Sequence, residues 1–184
     1  MDSLLIRTHI GVSVDGFISD ATGMPAWDLA PGWDHGKSHG YAEFNAGNDV
    51  VIVGRNTFDL GHSFWVSQEM WPWSDKHVYV LTTRPLPEDT HPNVTAPDGG
   101  PAGLVEHLRS AGFERNAQLL GGAKAIRALL EIGAVDELGI IVLPMLLGEG
   151  APLWEPGSAA PCNLQLTSQR AFPDGAVQMV YAKP

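Results

Sequence analysis

The sequence predicts an α/β fold: a mostly parallel mixed sheet with helices on both faces and an antiparallel hairpin at its C-terminal edge. Three observations carry this expectation. The continuous apolar runs "VVIV" (Val50 to Val53) and "VYVL" (Val78 to Leu81) suit strands buried on both faces of a parallel sheet. Such runs alternate with amphipathic helical segments, as parallel crossovers require. The chain then turns to "LQLTSQRAF" and "AVQMVYAKP", two strand-like segments joined through "PDG", a hairpin signal.

The elements follow in order. "IRTHIGVS" is a β-branched strand up to Ser13, and Asp15-Gly16 supplies turn chemistry. Residues 19 to 40 hold glycine, proline and carboxylates with neither a period of 2 nor of 3.6, the pattern of a functional loop or lid. "YAEFNAG" reads as a short helix leading into the strand at Val50 to Val53, with a second helix starting at Gly54. "KHVYVL" is stopped by Pro85, and "NVT" is a third, shorter strand. Pro101 suits a first helical position, Leu104, Val105 and Leu108 share one helical face, and Gly112 suits the position past the helix end. "NAQLLGG" is the next strand, followed by a helix with the stripe Ile126, Leu129, Leu130 and a stop at Gly133. "ELGIIVLPMLLGEG" reads as a long apolar strand, Leu138 to Leu147, bulged at Pro144.

With 184 residues, 44% of them hydrophobic, the chain suits one domain over residues 1–184. A formal charge of −10 opposes an extended nucleic-acid footprint, while small anionic ligands stay compatible. The single Cys162 makes no internal disulfide, and no run approaches the roughly 18 apolar residues of a membrane span. The expectation is a cytoplasmic protein with no membrane or nucleic-acid partner and no metal.

Ligands of such sheets sit beyond the carboxyl ends of the strands. After "VVIV" come Gly54, Arg55, Asn56 and Thr57; after "VYVL", Thr82, Thr83 and Arg84; after "QLL", Gly121, Gly122, Ala123 and Lys124. Each offers glycine, hydroxyl, cation or open helix N–H groups suited to a phosphate or ribose, although each alone is also an ordinary cap or turn. Together they fit a dinucleotide lying across the sheet. "GWDHGKS" lacks the preceding strand and first glycine of a phosphate loop, and His35 and His39 lack the glutamate between them that a zinc-protease helix carries.

Taken in order, "SVDGFIS", "VVIVGRNTFD", "VLTTR", "LLGGAKAI" and "VDELGIIVLPMLLGEGAPLW" closely resemble the dihydrofolate-reductase-like family. The nearest members are the reductase domain of the riboflavin-biosynthesis deaminase/reductase and its stand-alone bacterial relatives. The resemblance runs from about Ile6 to Trp154 and implies a three-layer sandwich that binds NADPH. It implies pyrophosphate at Gly54 to Thr57, the adenosine 2′-phosphate at Thr82 to Arg84, and pyrophosphate with the nicotinamide ribose at Gly121 to Lys124. It places the cofactor against Gly121 and Gly122, and "GMPAWDL" is similar to the mobile loop that covers the nicotinamide.

Dihydrofolate reductase carries one acidic residue on the helix between that loop and the "GR" motif. Here a gapless count back from Gly54 reaches Ser38, with Asp34 and Glu43 the nearby carboxylates, which disfavours a pterin substrate. The riboflavin-type relatives deliver hydride to a ribosylamino-pyrimidine. The resulting expectation is an NADPH-dependent reductase of a small heterocyclic or carbonyl/imine substrate, with Asp15, Trp27, Asp34 and Glu43 as candidate substrate contacts. No catalytic residue is assigned; Asp15, Asp34, His39 and Glu43 are the candidate proton donors. Pterin reduction and non-catalytic ligand binding are the alternatives, and a homodimer is expected from the apolar strand Leu138 to Leu147 and the hairpin.

Overall fold

The computed structural model of the chain describes residues 4–34, 38–67, 71–155 and 163–184; His35 and Cys162 lie outside the described residues. In chain order the strands are β1 (Ile6–Ser13), β2 (Phe17–Ser19), β3 (Asn48–Gly54), β4 (His77–Leu81), β5 (Val94–Thr95), β6 (Asn116–Gly121), β7 (Glu137–Leu143), β8 (Ala151–Pro152), β9 (Gln165–Ala171) and β10 (Val177–Ala182). The α-helices are α1 (Ala26–Leu29), α2 (Tyr41–Ala46), α3 (Arg55–Ser67), α4 (Gly100–Ser110) and α5 (Ala123–Glu131), with a 3-10 turn at Ser38–Gly40.

Eight strands form one sheet in the order β5-β4-β3-β6-β1-β7-β10-β9. Pairings from β5 to β7 are parallel, while β10 runs antiparallel to both β7 and β9. β1 sits in the interior because its residues are apolar or hydrogen-bonded on both faces. Ile6, Ile10 and Val12 enter the large core that Val50, Ile52 and Leu119 build with Leu104 and Leu108 of α4 and Ile126 and Leu129 of α5. Each such side chain contributes about 1.5–3 kcal/mol by burial. Ile126→Ala would cost about 2–5 kcal/mol, since a fully buried branched side chain leaves a cavity.

The opposite face is covered differently. Val51, Val53, Val78 and Val80 pack with Phe58 of α3 and with Trp73, while Ile141 and Leu143 pack with Ala26 and Ala176. Between these two apolar clusters the face carries His9, beneath the rings of Tyr41 and Phe44 of α2. The break in apolar cover marks the floor of a site.

Three expectations are corrected. The strand predicted to continue to Leu147 ends at Leu143, because Pro144 has no N–H for the ladder; the chain turns there and Met145 instead accepts a backbone bond from Val14. β7 is an interior strand between β1 and β10, so it exposes no edge and gives no argument for a dimer. The loop of residues 19 to 40 contains α1 and the 3-10 turn, both too short to show a period, and β2, which leads into it, pairs with β8 in a separate small sheet. No described helix is long and apolar enough to cross a membrane.

Candidate active site

The carboxyl ends of β4, β3 and β6 lie side by side, and α3 and α5 both start there. The two helix starts touch at Gly54, where an added Cβ would stand 3.2 Å from Ala125 Cβ and 3.4 Å from Gly122 N. Any side chain would push them apart. The Gly121-Gly122 peptide is cis, and Gly121 has φ +123, a region L side chains rarely adopt. At Gly122 an added Cβ would fall 2.8 Å from Thr57 Oγ1. A side chain at Gly122 would therefore force the chain's own Thr57 to shift. Gly122 caps α5 without a side-chain hydrogen bond, so the first-turn N–H groups around Ala123 and exposed Lys124 are open to an outside acceptor.

The arginines have different roles. Arg55 bonds Asp59 at 2.5 Å from Nε and the carbonyl of Pro85 at 2.7 Å from Nη1, which fastens α3 to the segment after β4. It is a brace more than a free ligand. Arg84 is exposed and reaches Asp59 Oδ2 at 3.2 Å and Asn56 Oδ1 at 3.5 Å, and its backbone N–H donates to Thr82 Oγ1 at 3.0 Å. Thr83 is exposed beside it. Asp59 was missed by the sequence reading, although an Arg-Asp pair four apart on a helix is a legible signal. One carboxylate against two guanidiniums leaves a local positive surplus in a chain of net charge −10.

On the substrate side the candidate residues separate. Asp15 accepts from Ser13 Oγ at 2.6 Å, Gly148 N at 2.7 Å and Leu147 N at 3.1 Å, which ties the β1–β2 turn to the loop after β7. The Ser13 hydroxyl, then the Gly148 N–H, hold its carboxyl below the usual carboxylate range, the opposite of what a proton donor near neutrality needs. Glu43 and Asp34 are exposed. α2 turns Tyr41 and Phe44 toward His9, with Gln118 Nε2 donating to Tyr41 Oη at 3.2 Å, while its carboxylate Glu43 is exposed and in neither ring contact. Burial pushes the Tyr41 hydroxyl above its ordinary value, so it stays protonated.

Trp27 lies on β1 at Gly11, where a Cβ would meet Trp27 Cε3 at 3.1 Å. It stacks on Trp33 (5.8 Å, 8°), Trp33 on His39 (5.5 Å, 22°), and His39 meets Phe172 edge-on at 4.8 Å. His39 Nε2 is 2.7 Å from Asp174 Oδ2 in the hairpin turn. Burial opposes ionisation of Asp174, but the Ala176 N–H and His39 outweigh it and lower its pKa. His9 is pushed down to about 4 by burial, with His39 adding to the effect, and is neutral at pH 7. His9, Trp33 and Asp174 carry no functional signal in the sequence: Trp33 and Asp174 join the column, and His9 the ring pair of α2, through tertiary contact alone. Among the described residues no group of His, Cys, Asp and Glu is placed to hold a metal.

The RibD C-terminal domain family matches residues 5–178. The chain belongs to the RibD C-terminal domain family. The uncharacterized protein YwjB of Bacillus subtilis (strain 168) is 30% identical to it over 176 residues, 95% of each chain. Among solved structures, a putative riboflavin biosynthesis protein from Shewanella sp. PV-4 superposes with TM-score 0.80 at 26% identity, covering 98% of this chain and 99% of that one. The diaminohydroxyphosphoribosylaminopyrimidine deaminase/5-amino-6-(5-phosphoribosylamino)uracil reductase of Thermotoga maritima gives TM-score 0.71 at 14% identity, with 99% of this chain matching 57% of that one. Dihydrofolate reductase from Enterococcus faecalis, complexed with NADP(H), gives TM-score 0.66 at 13% identity over 97% and 95% of the chains. At those lower identities the likeness is one of fold. This RibD C-terminal-type domain thus has the dihydrofolate-reductase-like arrangement, with its antiparallel edge hairpin.

Proposed function

We propose that the chain is an NADPH-dependent reductase of a small heterocyclic or carbonyl/imine substrate. The observation that carries this reading is the pairing of two helix N-termini at Gly54 and Gly122, flanked by Arg84 and Lys124, in an otherwise acidic chain. Such a donor set fits a dinucleotide phosphate chain. Family membership and the reductase named for the Thermotoga maritima protein add support.

The first turns of α3 and α5 hold the pyrophosphate, Arg84 takes the 2′-phosphate, and Arg55 keeps the α3 start in register by its bonds to Asp59 and Pro85. When bound, the nicotinamide supplies the hydride. Trp27, on β1 beside Gly11, excludes water and orients the acceptor ring. The protein acts as a homodimer paired through the hairpin's edge strand β9.

Pterin reduction is the weaker reading because α2 presents Tyr41 and Phe44 to the site floor and leaves Glu43 exposed. The test is saturable binding of NADPH by nicotinamide fluorescence, followed by NADPH oxidation with a panel of cyclic imines, ketones and aminopyrimidines. Binding without oxidation would favour a ligand-binding role, and methotrexate competition would restore the pterin reading.

A further inference from the structure

We propose that His9 and His39 are the specificity-determining residues of the site, an imidazole pair that selects an uncharged planar ring over a cationic one. The use of that ring as a reductase substrate rests on the function proposed above; its binding does not.

Both imidazoles line one narrow crevice with Gly11, Trp27, Trp33 and Ile141. Both are more than nine-tenths buried, at 4% and 7% exposure. Each nevertheless has a buried ring nitrogen without a partner among the described residues, Nε2 of His9 and Nδ1 of His39. An unsatisfied buried polar group costs about 1–3 kcal/mol, and such groups are rare unless something outside the fold completes them. Two of them on one crevice point to a ligand with two complementary groups.

The other nitrogen of each ring fixes what is offered. Gln178 Nε2 stands 3.4 Å from His9 Nδ1, which makes Nδ1 the acceptor and leaves Nε2–H as an open donor. Asp174 Oδ2, 2.7 Å from His39 Nε2, engages that nitrogen and leaves Nδ1 buried in the crevice wall without a partner among the described residues. Burial keeps His9 uncharged. Among the described residues no carboxylate lines the crevice, and Asp174 is engaged with His39 Nε2. A cation would therefore enter without a counter-charge, whereas a neutral ring carrying adjacent carbonyl and N–H groups would satisfy both orphan nitrogens.

Gly11 lets the Trp27 indole lie flat against β1, and the Trp27–Trp33 stack supplies planar walls. The crevice leaves no room for a water molecule, so a ring can enter only if Trp33 gives way. That movement makes binding visible in tryptophan fluorescence.

The test titrates the protein, without NADPH, with quinazolin-4-one, a neutral bicyclic lactam, and with 2,4-diaminoquinazoline, a cation of the same ring size near neutral pH. Saturable fluorescence change with the lactam and at least roughly tenfold weaker binding of the cation are expected. His9→Phe keeps the ring contacts with Tyr41 and Phe44, so it should lose about tenfold in lactam affinity with an unchanged or raised unfolding temperature. In the parent protein, imidazole nitrogen NMR should show the His9 and His39 resonances moving on addition of the lactam, a readout needing no variant. Tighter binding of the cation, no saturable binding of the lactam up to millimolar concentration, or unmoved histidine resonances at saturation would overturn the proposal. If NADPH fails to bind while the lactam still binds through His9, the reductase reading falls and the histidine pair stands.

Discussion

Arg84 reaches from the end of β4 to the second turn of α3, its Nη2 3.2 Å from Oδ2 of Asp59. The two side chains are 58% and 37% exposed, so the pair contributes little to stability, about 0–1 kcal/mol. Its guanidinium is free to exchange Asp59 for a phosphate. Arg84→Ala should weaken NADPH binding about tenfold, the equivalent of one charge-assisted bond, and leave NADH nearly unchanged. Titration of both cofactors by nicotinamide fluorescence at fixed salt checks this, and equal losses would transfer the 2′-phosphate to another residue.

Gly122 is constrained from inside the fold. Gly122→Ala places a Cβ against Thr57 Oγ1 and should destabilise the protein by about 1–3 kcal/mol, the usual cost of overpacking. Adding Thr57→Ala removes the clashing hydroxyl and should recover at least half of that loss. Thermal unfolding of the two singles and the double completes the cycle. Additive losses would mean that the contact is not the constraint.

The buried His9 sets an acid limit. Its folded pKa of about 4 lies below the ordinary imidazole value of 6.5, so between those two values the unfolded chain binds the extra proton and stability falls as pH falls. Above 6.5 both states are neutral and nothing is lost. Carried through the whole window, the shift corresponds to roughly 3 kcal/mol at most. Unfolding temperature measured from neutral pH down to pH 4 should drop for the parent and drop less for His9→Phe; parallel curves would mean that His9 is not the titrating group.

β9 is exposed along its whole length, and Leu164, Leu166 and Val177 are 38%, 45% and 37% exposed at this sheet edge. An unpaired edge with apolar side chains invites a second strand. Sedimentation should give about twice the 19.7 kDa chain mass, and Leu166→Lys should shift it toward the monomer. A parent that sediments as a monomer at micromolar concentration would remove the dimer.

The sequence shows the sheet's interior clearly because Val50 to Val53 and Val78 to Leu81 need no context: runs of that kind are stable only when covered on both faces. The helix starts at Gly54 and Gly122 are legible only as a set: each glycine alone is an ordinary cap or turn, and their recurrence at the ends of buried strands is what singles them out. What was not legible depends on distant partners. Asp15 looks like a candidate contact until Gly148, 133 residues away, is seen to occupy it. His39 reads as one of several candidate proton donors until Asp174, 135 residues on, fixes its ring. Pro144 reads as a bulge in the sequence because nothing in "IIVLPMLLG" reveals that Val14 will bond the carbonyl of Met145.

The position of β1 has a consequence for how the molecule is made. Its neighbours on either side are β6 and β7, and the bond from Leu5 N to the side chain of Asn116 spans 111 residues. β1 therefore leaves the ribosome well before either of its partners, while β3 and β4 can already pair behind it. Closing so large a loop is entropically costly and places the chain among slow folders. Until β6 is synthesised, Ile6, Ile10 and Val12 remain open to wrong partners, which makes the unfinished chain more prone to aggregate than the finished fold.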